Sequence, residues 1–288
     1  MRARALTALA ASALVVAVAV PSAGAATADG RAAARAGTWL AVHSAGSPAG
    51  QQADAIVALR AQGYGRAALG ARLRTLGRVA PAYARTAGAS AKVVMAAVAA
   101  GGDPRRLAGV DYVGRITAGY ASGRYGTSAF DQGLSVLALS AAGRPVPRAA
   151  VRATLAARGS GGWDFTLSRA ADSVDATALT IEALRATGMP ASNPALRAAA
   201  TWILAQRNRE GGYASAGARR ATEANATAAV IRALRALGRT PPASTRAALR
   251  GLQERDGGVR FARASAGSRL MATTDALIAL SGRHLPQR

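Results

Sequence analysis

The sequence predicts an all-α protein with about twelve helices in six hairpins, and three observations support this fold class. Half of the 288 residues are hydrophobic but only 4% are aromatic, so small, mostly unbranched side chains such as Ala and Leu must form the core. Such residues favour packed helices over sheets. The second half of the chain also repeats with constant spacing, and each repeat ends in a glycine that is typical of a helix C-terminus.

The first 25 residues predict a secretory signal peptide rather than part of the fold. Two arginines are followed by the uncharged apolar run Ala5–Val20 and then by an Ala-Gly-Ala cleavage pattern. An uncleaved membrane anchor is the alternative, because no charged residue lies between the start of the apolar run and Asp29. The run is, however, short for a membrane span. We therefore expect a secreted protein whose mature part, residues 26–288, is a single domain outside the cytoplasmic membrane.

The clearest repeat lies in the last three hairpins. A Gly-Gly pair precedes a Leu by 22 residues in each copy, counted from the second glycine: Gly162 to Leu184, Gly212 to Leu234 and Gly258 to Leu280. A shared threonine lies seven residues before each leucine: Thr177, Thr227 and Thr273. Three equal spacings with matched residue types indicate three copies of one structural unit.

Each unit contains an outer helix, a loop and an inner helix. In the fifth unit, Ala195–Gln206 predicts the outer helix and Glu223–Leu237, with its apolar stripe, predicts the inner one. Earlier copies are weaker, with Ala89–Gly101 the least regular, but all six share a terminal glycine: Gly63, Gly101, Gly143, Gly188, Gly238 and Gly282. Stacked units fit either an open solenoid or a closed ring of inner helices within outer ones.

The loop motifs resemble those of a known superfamily. Gln206 followed by Gly211-Gly212-Tyr213, the run Gln253–Gly258, and the outer-helix segments Thr38-Trp39-Leu40 and Thr201-Trp202-Ile203 are similar to the repeats of α/α-toroid proteins. These include squalene cyclases, protein prenyltransferase β subunits and cobalamin carriers. The resemblance covers Ala33 to Leu280 and implies a closed α6/α6 toroid whose central cavity is rimmed by the N-termini of the inner helices.

One segment resembles a catalytic motif of class II terpene cyclases. Ser173–Ala178 is similar to their D-x-D-D-T-A sequence, and the resemblance makes Asp175 the candidate general acid. Ser173 and Ala176 replace the flanking acids, however, and an acid that protonates an alkene depends on such neighbours for its acidity. The residues therefore favour Asp175 as a capping or cavity-lining side chain, and catalysis as the alternative.

Metal chemistry has little support in this sequence. There is no cysteine and there are only two histidines, His43 and His284. The zinc site of the protein prenyltransferases, which uses Asp, Cys and His, is excluded because its thiolate ligand is missing. We predict no metal and no cofactor.

A collar of polar residues near the inner-helix N-termini, with two aromatic loop residues, is the candidate ligand site. Its members are Asp131, Trp163, Asp172, Asp175, Thr177, Tyr213, Glu223, Asn225, Thr227, Thr273 and Asp275. The competing interpretation is structural, since acids stabilise helix N-termini and buried rings anchor loops.

The net charge of +23 does not predict nucleic-acid binding, because the basic residues are spread along the chain and do not alternate with aromatics. We expect a monomeric, non-catalytic extracytoplasmic binder of a small, partly apolar ligand, corrinoid-like or isoprenoid-like. A membrane transporter or a second clamp protein would be its partner. The alternatives are a reduced terpene cyclase or prenyltransferase-like enzyme that uses Asp175, and a cell-envelope interaction protein with a basic surface.

Overall fold

The structure, a computed structural model, describes residues 27–169, 172–215 and 220–287; the predicted signal peptide lies outside them. The described residues form twelve α-helices and no strand. The outer helices are α1 (Ala28–His43), α3 (Arg66–Tyr83), α5 (Tyr112–Ala118), α7 (Arg148–Ala156), α9 (Pro194–Ala205) and α11 (Ala243–Arg250). The inner helices are α2 (Ala49–Ala61), α4 (Ala87–Ala99), α6 (Ala129–Ala141), α8 (Val174–Ala186), α10 (Ala224–Ala236) and α12 (Arg269–Leu280).

The inner helices close into a ring. Each packs against the next in chain order, and the last one, α12, packs against the first, α2. The outer helix α1 also packs against α12, so the sixth hairpin meets the first in both layers. This arrangement confirms the α6/α6 toroid and rules out the open solenoid.

The predicted glycine stops are confirmed at the end of every inner helix. All six glycines have a positive φ, between +65° at Gly143 and +100° at Gly63, which side-chain-bearing residues rarely adopt. After α2, for example, the Gly63 amide donates to the Arg60 carbonyl and the Tyr64 amide donates to the Leu59 carbonyl. These bonds satisfy carbonyl groups that the helix itself leaves unpaired.

The repeated threonine ties each Gly-Gly loop to its inner helix. The backbone amide of Trp163 donates to the Thr177 hydroxyl at 2.9 Å, and the Tyr213 amide donates to that of Thr227 at 3.0 Å. The Val259 amide donates to the Thr273 hydroxyl at 2.8 Å. All three threonines are fully buried, so the motif that defines the repeat is a structural clamp.

The loop glycines allow close contact with the next outer helix. A Cβ on Gly161 would lie 2.1 Å from the Trp202 ring on α9. A Cβ on Gly257, in the last loop, would lie 2.5 Å from the Arg35 carbonyl oxygen on α1. Because neither space admits a side chain, glycine lets neighbouring hairpins pack, including the pair that closes the ring.

Alanine and leucine fill the space between the two layers, as the composition predicts. Buried apolar side chains of all six inner helices belong to two hydrophobic clusters, of which one spans the first three hairpins and the closing pair. No helix within the described ranges is both long enough and apolar enough to cross a bilayer.

Candidate functional site

The ring of inner helices encloses a cavity of about 650 Å³. The side chains that point inward follow an i, i+4, i+7 pattern on α10 and α12, and two positions of the same pattern on each of the other inner helices, as expected for one helical face. The mouth level, in the first turns of the inner helices, consists of Phe130, Asp175, Asn225 and Met271. The middle level consists of Asp54, Lys92, Leu134, Leu179, Ala229 and Asp275. The lower level consists of Val57, Met95, Arg232 and Ile278.

One wall of the cavity, formed by α6 and α8, is mostly apolar. Phe130, Leu134 and Leu179 face the space, and the Phe130 ring packs 5.5 Å from that of Phe165, measured between centroids. Across the mouth, Phe261 from the loop before α12 also lines the cavity. This wall is suited to an aliphatic or isoprenoid chain, since it offers area without polar atoms.

The opposite wall, formed by α10, α12, α2 and α4, carries paired charges. Lys92 Nζ on α4 lies 2.6 Å from Asp54 Oδ2 on α2, and Arg232 Nη1 on α10 lies 2.8 Å from Asp275 Oδ1 on α12. Burial lowers the pKa of Lys92, but the adjacent Asp54 carboxylate outweighs it and the net shift is upward. Both pairs join neighbouring inner helices.

The floor combines a buried ion pair with the C-terminal tail. Arg232 Nε lies 3.4 Å from Glu182 Oε2, and the Glu182 side chain is fully buried. Its other oxygen accepts a 2.8 Å hydrogen bond from the backbone amide of Leu285, whose side chain lines the cavity. The tail thus folds back across the end of the ring and closes it with a leucine.

Asp175 is the one cavity-lining acid without a basic partner among the described residues. Its Oδ1 atom is buried and accepts no hydrogen bond. Burial, together with the nearby carboxylates of Asp275 and Glu223, raises the pKa of Asp175 to about 6, although Arg232 acts to lower it. A carboxyl group in this state changes protonation near neutral pH and offers an unused hydrogen-bonding atom to a ligand.

Three of the residues proposed from the sequence meet in the cavity: Asp175, Asn225 and Asp275. The Asn225 amide donates a 2.6 Å hydrogen bond to Asp275 Oδ2. Asp54 and Asp275, each five residues before the last leucine of its inner helix, both occupy the middle level.

The remaining proposed residues lie outside the cavity lining. Thr177, Thr227 and Thr273 hold the loops, since each follows the mouth-level position by two residues and so points to the other side of its helix. Trp163 and Tyr213 are fully buried beneath the loops.

The other three acids on that list bond to local groups. Asp131 accepts from the Ser128 hydroxyl, Asp172 accepts from the Gly161 amide, and Glu223 accepts from the Ser215 amide. Each of these bonds fixes a loop or a helix start.

Several cavity residues were not identified from the sequence. They are Gln51, Val57, Lys92, Met95, Phe130, Leu134, Leu179, Ala229, Arg232, Phe261, Ser265, Gly267, Ser268, Met271, Thr274, Ile278 and Leu285. On α6, α8, α10 and α12 the mouth-level residue lies nine positions before the last leucine of the helix, so stepping four and seven residues from it would have found Leu134, Leu179, Ala229, Arg232 and Ile278. Nothing in the sequence indicated that Leu285 belongs to it.

No three His, Asp or Glu side chains within the described ranges lie together in a way that could hold a metal ion. A separate cleft of about 730 Å³ lies at the C-terminal ends of the inner helices, away from the mouth. Its basic lining residues are Arg60, Arg235, Arg246 and Arg283. The enclosed cavity has both the apolar lining and the unpaired acid, and it is therefore the candidate site.

The fold is similar to that of type II terpene cyclase MstE from Scytonema. A ligand-free variant of that enzyme superposes with a TM-score of 0.63 and 16% identity, covering 88% of this chain and 96% of the other. A variant bound to the substrate geranylgeranyl dihydroxybenzoate gives 0.61, with 16% identity and coverage of 88% and 96%. A variant bound to the product merosterolic acid A gives 0.60, with the same identity and coverage.

No family model matches the sequence, and no curated protein matches it either. At 16% identity, the likeness to MstE establishes a shared terpene cyclase-like toroid and leaves the activity to be argued from the cavity itself.

Proposed function

We propose that this protein binds one small, largely apolar, isoprenoid-like molecule in the toroid cavity without transforming it. The observation that carries the proposal is the enclosed space of about 650 Å³ with an apolar wall on α6 and α8. That volume lies within the range of small-molecule sites, about 300–1,000 Å³. A corrinoid is much larger than a drug-sized ligand. Of the two ligand classes expected from the sequence, the cavity volume therefore favours an isoprenoid-like molecule.

The environment of Asp175 argues for binding rather than catalysis. Protonating an alkene requires an acid whose conjugate base is strongly stabilised. Here the Asp175 carboxylate would lie near the acids Asp275 and Glu223, and no hydrogen bond to its Oδ1 supports the anion. Both features weaken the acid. A raised pKa also keeps a general acid protonated, but proton transfer to a carbon–carbon double bond is disfavoured here because no hydrogen bond to Oδ1 stabilises the carboxylate that would be left behind.

The binding proposal is tested by titrating the purified protein with geranylgeraniol and by native mass spectrometry of protein isolated from its own host. We expect one bound molecule per chain. Ala229→Trp, which places a large ring at the middle level of the cavity, should abolish binding, and the milder Ala229→Phe should weaken it. Val42→Trp, on the exposed face of α1, is the matched control and should bind normally. Equal binding by the control and both Ala229 variants would refute a cavity site.

The second candidate function is a reduced cyclase that uses Asp175 as the acid. The observation in its favour is that the unpartnered Asp175 oxygen lines an apolar cavity in a terpene cyclase-like fold. Incubation with squalene or geranylgeranyl substrates, followed by mass spectrometry, tests it. Cyclised product that disappears in Asp175→Asn would replace the binding proposal, whereas unchanged substrate with both proteins would exclude the enzyme.

Secretion and partners are part of the same proposal. The predicted signal peptide over residues 1–25 supports a location outside the cytoplasmic membrane, where a binder would deliver its ligand to a transporter or be closed by a clamp protein. Cell fractionation and N-terminal sequencing of the mature protein test the location. A chain recovered in the cytoplasm with residues 1–25 intact would contradict it.

A further inference from the structure

The cavity and the whole chain carry opposite charge balances. The chain has a net charge of +23. The cavity lining, in contrast, contains three acids and two bases: Asp54, Asp175, Asp275, Lys92 and Arg232. The surface therefore attracts anions in general, while the enclosed site presents an excess of carboxylates to a bound molecule.

The charge of each cavity base is already balanced by a carboxylate of the cavity. Lys92 is engaged by Asp54 at 2.6 Å. Arg232 is engaged by Asp275 at 2.8 Å and by Glu182 at 3.4 Å. A diphosphate or carboxylate that used the remaining N–H donors of these bases would lie close to the carboxylates already paired with them, and like charges repel.

At five of the six inner-helix N-termini at least one first-turn amide is already engaged, although such termini commonly bind anions. Side-chain hydroxyls already accept from first-turn amides in four of the six inner helices. These caps are Thr86 on α4, Ser128 on α6, Ser173 on α8 and Ser268 on α12. On α6 and α10, the first backbone amide is in addition bonded to the carbonyl of Phe165 or Phe261, respectively.

Among the described residues, the mouth holds a buried side-chain atom without a hydrogen bond, and that atom is an acceptor. Asp175 Oδ1 is buried, lines the cavity through its side chain and receives no hydrogen bond. Leu179 lies one helical turn deeper on the same face of α8, beside Leu134 on α6. A ligand whose head group donates to Asp175 could therefore place its tail directly against the apolar wall.

We propose that the ligand carries a donating head group, best a protonated amine, which Asp175 binds at the mouth while its apolar tail lies along α6 and α8. This inference rests on the proposed function and adds the chemical class of the head group. A charged amine is favoured over a hydroxyl because a hydrogen bond between two ionised groups is stronger than one with a neutral partner. Prenyl diphosphates are excluded as preferred ligands.

The test compares geranylgeranyl amine, geranylgeraniol, geranylgeranoic acid and geranylgeranyl diphosphate, which share one tail. Binding is measured by calorimetry at about 0.15 M salt, where attraction to the basic surface is screened. Binding is assigned to the cavity only where the cavity-filling variant Ala229→Trp abolishes it. We expect the amine to bind about tenfold more tightly than the alcohol, and both anions at least about tenfold more weakly than the alcohol.

Asp175→Asn isolates the contribution of the carboxylate. We expect the amine to lose its advantage, to within about twofold of the alcohol, while the alcohol keeps its affinity within about threefold. Asp175→Ala serves as a second variant, and circular dichroism checks the folding of both. Asp111→Asn, which removes one charge at the start of outer helix α5 and retains a capping side chain, is the matched control and should leave the ranking unchanged.

The outcomes separate the two proposals. Tightest binding of an anion, equal binding of all four molecules, or an amine preference that survives Asp175→Asn would overturn the head-group assignment and leave a cavity binder. The absence of cavity-dependent binding for every molecule would overturn both.

Discussion

The two walls of the cavity seal neighbouring inner helices in different ways. On the apolar wall, α6 and α8 approach closely at Gly133, where an added Cβ would lie 2.9 Å from Leu179 Cγ. On the polar wall, α2 joins α4 through Asp54 and Lys92, and α10 joins α12 through Arg232 and Asp275. Neighbouring inner helices of the same repeat can thus be held together either by apolar packing or by ion pairs at equivalent positions of the ring.

The difference between the two walls indicates which polar side chains are available to bind a ligand. Polar groups on the charged wall are occupied by one another, so their role is to hold helices together. Asp175 belongs to the apolar wall, and no base in the described part of the chain pairs with it. A polar residue that the structure does not need for packing is available for a ligand, and the predictions below test this division.

The largest effect is expected from removing the cation of the charged wall. Arg232→Met leaves Glu182 and Asp275 without their shared partner, and breaking a buried pair costs about 3–5 kcal/mol of unfolding free energy. Denaturant unfolding monitored by circular dichroism measures the loss. Lys92→Met is the comparison; its pair faces the cavity with side chains 27% and 31% exposed, and the cost should be about 1 kcal/mol. Equal costs would contradict the distinction between floor and middle level.

The next effect depends on pH and concerns Asp175. An unfolded aspartate has a pKa of about 3.9, whereas burial raises the pKa of Asp175 to about 6 in the fold. Three charged groups shift this pKa: Asp275 on α12, Glu223 at the N-cap of α10 and Arg232 on α10. The neighbouring helix α6 contributes only the apolar side chains of Phe130 and Leu134 to the cavity. The folded state therefore binds the proton more tightly, and stability falls as pH rises from about 4 to about 6.

Asp175→Asn removes this dependence. The variant should match the parent at pH 4 and exceed its unfolding free energy by up to about 3 kcal/mol at pH 7, since each pKa unit corresponds to about 1.4 kcal/mol. Thermal unfolding across this pH range measures the difference. A variant less stable than the parent at pH 7 would show that the carboxylate supports the fold and is not spare.

The smallest effect tests the contact that closes the apolar wall. Gly133→Ala inserts a methyl group against Leu179 at 2.9 Å, and overpacking of about 1–3 kcal/mol should exceed the gain in helix propensity of about 1 kcal/mol. We expect a net loss of about 1 kcal/mol. The same substitution at Gly70 on α3, where the nearest contact is the Arg74 side chain at 3.9 Å, should instead stabilise the protein. Stabilisation by both would mean that the α6–α8 contact is loose.

Most of the fold could be predicted from short sequence patterns. The equal spacing of Gly-Gly pairs and leucines predicted hairpins, and the six terminal glycines marked the helix ends that the structure confirms. These features are readable because each depends on backbone conformation within a few residues. Closure of the ring came from the resemblance to known toroids, since an open array would show the same repeat.

The candidate site followed the sequence only in part. Asp175, Asn225 and Asp275 were identified and do line the cavity. The threonine clamp was assigned to the site although it serves the loops, because repetition by itself does not separate a structural role from a functional one. Residues two apart on a helix face different ways, and which face turns inward depends on packing against both neighbours.

The sequence by itself determined the repeats, the helix boundaries and the small-residue core, because these follow from backbone preference and hydrophobic periodicity. Only the tertiary structure decided which acids are paired. Lys92 meets Asp54, and Arg232 meets both Glu182 and Asp275, across helices that are distant in the chain. The return of Leu285 to the cavity floor is also a property of the closed ring, since a hydrogen bond to a buried carboxylate 103 residues earlier exists only when the ring brings the two together.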